Sequence, residues 1–63
     1  MNTRGQAKRK FEEAVTNLDW ALHHLRWVSD TYESVSDVKD PTDKMIEVII
    51  AVEEGLQNIK ESF

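Results

Sequence analysis

The side chains in this sequence that could do chemistry are few. His23 and His24 are adjacent, Asp19 stands four residues before His23, and Glu12-Glu13 and Glu53-Glu54 form two acidic pairs. Neighbouring histidines on a helix point about 100° apart, so both cannot ligate one ion. Asp19 and His23 share a face and could supply two ligands, doubled to four across a symmetric dimer. A solvated Asp19–His23 hydrogen bond is the simpler expectation, because the Glu-x-x-His pairs of di-iron bundles are absent. Acid–base catalysis needs carboxylates in a dry cleft, whereas the two acidic pairs fall on polar arcs that read as solvated helix faces. There is no glycine-rich phosphate loop and no nucleophile–base pairing. The sequence therefore predicts no enzyme, no cofactor and no metal site.

The chemistry that remains is recognition. Trp20, His24 and Trp27 recur at steps of four and three, an aromatic ridge on one helix face. Aromatic side chains with a polar handle are the usual anchors of binding interfaces. The ridge is predicted to serve either a larger partner or self-association. Arg4, Lys8, Arg9 and Lys10 form a basic head, a candidate anion contact without an interleaved aromatic residue.

The element that positions the ridge is a long amphipathic helix. Phe11, Val15, Leu18, Leu22, Leu25 and Tyr32 follow the four-three spacing of a buried seam, flanked by Ala14, Ala21 and Val28. Trp20, His24 and Trp27 fall on the opposite side. The helix is predicted over about 6–35, fraying between Tyr32 and Asp37 where Ser and Asp compete for backbone hydrogen bonds; residues 1–5 are predicted to form a frayed basic N-terminus. Asp40-Pro41-Thr42-Asp43 reads as the start of a second helix, with Asp40 as N-cap, Pro41 in the first position and Asp43 completing a capping box. That helix is predicted over about 41–61, with the connection at residues 36–39. Met45, Ile49, Val52, Leu56, Ile59 and Phe63 form its expected seam, with Val48 beside it and Ile46 and Ile50 as a secondary apolar pair. Gly55 interrupts it, either as a tolerated cost or to admit a close helix approach.

Length sets the stability problem. At 63 residues without cysteine, the chain is a single domain (6–63) with no disulfide or thiolate site, and one core of this size is marginal. Its longest apolar run, Val48 to Val52, is far short of the ~20 residues of a membrane span, and no leader pattern opens it. A soluble, cytoplasmic protein is expected, without a membrane partner. The net charge of −4 divides into a basic head and a body with four basic and twelve acidic residues. An acidic body disfavours wrapping nucleic acid.

The fold class expected is all-α, an antiparallel two-helix hairpin dimerising into a four-helix bundle. Two such helices touch along one line and leave part of each broad stripe wet, so Phe11, Val15, Leu18, Leu22, Leu25, Ile46, Ile49, Ile50, Val52, Leu56 and Ile59 are expected to form a core shared within the dimer. This layout resembles the Rop family of plasmid RNA-regulatory proteins, a likeness of architecture that carries no function. The function expected is a non-enzymatic protein–protein interaction module, a homodimer that binds and modulates a larger protein partner as regulators, adaptors and virus- or plasmid-encoded inhibitors do. The alternatives are a nucleic-acid-associated regulator using the basic head and a structural subunit of a larger assembly.

Overall fold

In a computed structural model, which describes residues 3–63, two helices pack against each other as a hairpin. Helix α1 spans Thr3–Thr31 and α2 spans Ser36–Glu61; among the described residues there is no strand. The hairpin is a rod of 52 × 15 × 11 Å. Its Cα radius of gyration is 14.9 Å. A compact domain of this length would have about 11 Å.

Helix α1 has no glycine or proline after Gly5, and the good helix formers leucine, alanine, glutamate, lysine, arginine and glutamine recur along it. Thr3 to Gly5, expected to fray, are its first residues; Met1 and Asn2 lie outside the described residues. Its packed face follows the expected seam. Leu22 is 6% exposed, and Phe11, Ala14, Val15, Leu18, Ala21, Leu25 and Val28 are half-buried. Tyr32 departs from the seam. It lies beyond the last helical residue and is exposed, because the chain turns away there. The Tyr32 N–H still reaches the Val28 carbonyl at 2.9 Å, and the Val35 N–H then closes on the Tyr32 carbonyl at 2.9 Å. No described residue needs a positive φ for this reversal.

The connection occupies residues 32–35, one turn earlier than expected, and α2 begins at Ser36. The Asp40-Pro41-Thr42-Asp43 stretch is therefore not the cap that it was predicted to be. Val35 occupies the N-cap with no side-chain bond, and its carbonyl accepts from the N–H groups of Val38 at 3.0 Å and Lys39 at 2.9 Å. Pro41 sits inside the helix, where its ring removes the bond to the Asp37 carbonyl. The extra turn persists because it is held from outside. Val38 and Lys39 are half-buried, Thr42 donates its hydroxyl to the Val38 carbonyl at 2.7 Å, and Lys39 bonds across to α1.

Helix α2 also presents a different side than expected. Ile46, Ile49, Glu53, Leu56 and Lys60 are half-buried along the contact, while Met45, Val52, Ile59 and Phe63 of the expected seam are exposed. At 100° per residue the packed face is turned by roughly 60–70° toward Ile46. The apolar arc of α2 is wider than one partner helix can cover, so apolar spacing alone does not choose the face. Cross-helix polar contacts choose it. At the open end Lys60 reaches Glu12 at 3.5 Å, and the rings of Phe11 and Phe63 meet at 5.8 Å between centroids.

Candidate interaction surfaces

A polar knot ties the turn end of the hairpin. Ser29 stands in the α1 seam and is 5% exposed. A buried hydroxyl needs a partner, and this one has two. It donates to Asp43 Oδ1 at 2.5 Å and accepts from Lys39 Nζ at 3.0 Å, while Lys39 pairs with Asp43 Oδ2 at 3.2 Å. The Ser29 hydroxyl, foremost, holds the Asp43 carboxyl below its ordinary range against the push of burial, which ranks next, and the Lys39 ammonium adds to the lowering. Asp43 thus serves the tertiary contact and not a capping box.

A second group sits midway along the rod. Glu53, expected on a solvated arc, lies on the packed side of α2, and its Oε1 is closed off from water without a hydrogen-bond partner. It faces Asp19, with Arg26 nearby. Two carboxylates can only accept, so this contact becomes a hydrogen bond when one of them takes a proton. That shared-proton bond to Asp19 raises the Glu53 carboxyl above its usual value, with burial and the Asp19 charge adding and Arg26 opposing. The expected Asp19–His23 hydrogen bond is not formed. His23 turns its ring edge-on to Trp20 at 5.9 Å and lies 5.5 Å from His24.

The aromatic ridge stands clear of the hairpin. Trp20 and Trp27 are each 62% exposed, and Trp20 stacks on His24 with centroids 6.3 Å apart. On the helical wheel both tryptophans fall on the side of α1 that faces away from α2. Among the remaining predicted residues, Phe11, Val15, Leu18, Leu22, Leu25, Ile46, Ile49 and Leu56 are brought together between the helices, whereas Ile50, Val52 and Ile59 are exposed in the single hairpin. Arg4, Lys8, Arg9 and Lys10 line the first turns of α1, all exposed; Lys10 pairs with Glu13 at 3.2 Å.

The clefts beside the basic head are open ones. A groove beside the basic head is lined by Arg9, Glu12, Glu13, Thr16 and Asn17, all from α1, and one helix offers only an open trough. Among the described residues, no three side chains of His, Asp or Glu converge as metal ligands, and no helix is long and apolar enough to cross a membrane.

Sequence reasoning missed Glu53, Lys60 and the knot at Ser29. The signal was present for the knot. A serine in an apolar seam calls for a polar partner across the interface, and Lys39 and Asp43 have the four-residue spacing to supply it. Compared with protein-family models, curated proteins and solved structures, the chain matches none.

Proposed function

We propose that the protein is a non-enzymatic interaction module, a dimeric helical bundle that binds and modulates a larger protein through the ridge of Trp20, His24 and Trp27. The observation that carries this reading is the exposure of both tryptophans, 62% each, on the side of α1 turned away from α2. Tryptophan combines large apolar area with an N–H donor, and leaving two of them wet is unfavourable unless something covers them. Acidic side chains border the ridge, Asp19 and Asp30 on α1, and suit a partner surface carrying positive charge. The test is affinity capture with the native chain and with the Trp20→Ala/Trp27→Ala variant. A protein partner retained by the first and lost by the second, with the oligomer's mass unchanged, supports the reading; equal capture by both sinks it.

The second reading is a nucleic-acid-associated regulator. It is supported by Arg4, Lys8, Arg9 and Lys10 standing exposed at one end of the rod, two such heads being present in a dimer. Phosphate contacts are electrostatic, so binding to DNA or RNA that weakens steeply with salt would favour it. No binding at low salt would remove it.

A further inference from the structure

The hairpin has two unlike long flanks. On α1, the residues just before the core positions Val15, Leu22 and Ser29 are Ala14, Ala21 and Val28; those just after Phe11, Leu18 and Leu25 are Glu12, Asp19 and Arg26. On α2, Met45, Val52 and Ile59 precede Ile46, Glu53 and Lys60, while Asp43, Ile50 and Gln57 follow Thr42, Ile49 and Leu56. Viewed from one end, antiparallel right-handed helices wind in opposite senses, so the preceding residues of both helices share one flank and the following residues share the other. The Glu12–Lys60 pair and the grouping of Asp19, Arg26 and Glu53 mark the second flank as the polar one. Between the turn and Ala14 the first flank, made by Ala14, Ala21, Val28, Met45, Val52 and Ile59, carries no charge, and Lys10 bounds it at the open end, paired with Glu13.

We propose that this uncharged flank seats a second copy of the chain, forming a four-helix bundle that leaves the Trp20/Trp27 ridge free on its outside. The proposal rests on the dimeric reading above and names the face that performs it. Met45, Val52 and Ile59 are 53%, 46% and 47% exposed, and they stand beside a floor of small α1 residues that admits close approach. The area fits one occupant. The chain exposes 4934 Å². A compact monomer of its 7.3 kDa would expose about 4200 Å². The excess of roughly 700 Å² is close to the ~800 Å² that each partner of a standard interface covers. The ridge does not compete for this role. It lies along the back of a single helix, where a second copy would touch along one line and leave the uncharged flank wet.

Two measurements test the face, one of them without substitution. Trp20 and Trp27 are the chain's only tryptophans. Sedimentation velocity over a dilution series should show a dimer, and acrylamide should quench the tryptophan emission of that dimer nearly as readily as that of the dissociated chain. Val52→Glu should weaken dimerisation at least 100-fold and show native helicity only at the higher concentrations where it is still dimeric. A dimer whose tryptophans become shielded, or one that forms undiminished with Val52→Glu, would overturn this face and leave the dimeric reading standing. Native chain that sediments as a single copy throughout would overturn the dimeric reading, and this proposal with it.

Discussion

Leu22→Ala is the perturbation whose cost the structure sets most narrowly. Leu22 is the one hydrophobic side chain among the described residues that is closed to water, at 6% exposure. Truncation removes three carbons, worth ~0.8 kcal/mol each, or roughly 2.5 kcal/mol per chain. Leucine-to-alanine changes in rigid cores reach about 5 kcal/mol because a cavity is left behind. That added cost should be small here, since the neighbours of Leu22 along the seam are only half-buried and can close in. Domains have roughly 0.05–0.15 kcal/mol of stability per residue, which puts 63 residues at about 3–9 kcal/mol, so the loss is a large share of the total. The assay is a urea titration followed by far-ultraviolet circular dichroism at fixed protein concentration, with Trp20→Ala as the comparison. The exposed tryptophan should cost within about 0.5 kcal/mol. A Leu22→Ala midpoint equal to that of the native chain, or a Trp20→Ala cost equal to that of Leu22→Ala, would show that the packed face is misplaced.

Stability should peak in mild acid. Glu53 has a raised carboxyl, so the fold binds its proton more tightly than the unfolded chain does, and the associated stability is present below pH 4.5 and lost as pH rises through the folded value. Asp43 has a lowered carboxyl, so its contribution is present above pH 3.8 and lost as pH falls through the lower folded value. Thermal melts from pH 7 down to 2.5 should therefore rise and then fall; Glu53→Gln should flatten the rise and Asp43→Asn the fall, and a midpoint unchanged by Glu53→Gln at every pH would contradict its place on the packed face. Ser29→Ala breaks the knot at the turn and should cost about 1 kcal/mol, with loss of helicity concentrated at residues 36–40 in hydrogen exchange. Gly55→Ala should gain up to ~1 kcal/mol, because nothing within the hairpin lies within 4 Å of the added methyl. A lowered midpoint would place another helix against it.

How far the sequence could be read differs between the helices. The α1 face was legible because its leucines and valines occupy a stripe bounded on one side by Glu12, Asp19 and Arg26 and on the other by alanines. The α2 face was not. Its apolar residues extend from Val48 round to Ile50, and the choice within that arc is made by Glu12–Lys60, Arg26 near Glu53, and Ser29 with Asp43, contacts between residues far apart in the chain. The same knot explains the misread start of α2. Local rules favour Pro41 at a first position, but a half-buried Lys39 bonded to Ser29 keeps one more turn wound ahead of it. The aromatic ridge was legible from spacing alone, because a helix already committed by its leucines leaves Trp20 and Trp27 only the opposite side. The carboxyl contact of Glu53 with Asp19 could not be read before the register between helices was known.

If the hairpin dimerises as proposed, a single copy buries too little to remain folded alone. Sedimentation equilibrium at micromolar concentration, with circular dichroism on the same samples, tests it directly. The predicted result is a species of twice the 7.3 kDa chain mass whose helicity falls as dilution splits it. A fully helical, cooperatively melting species of 7.3 kDa at every concentration would contradict it.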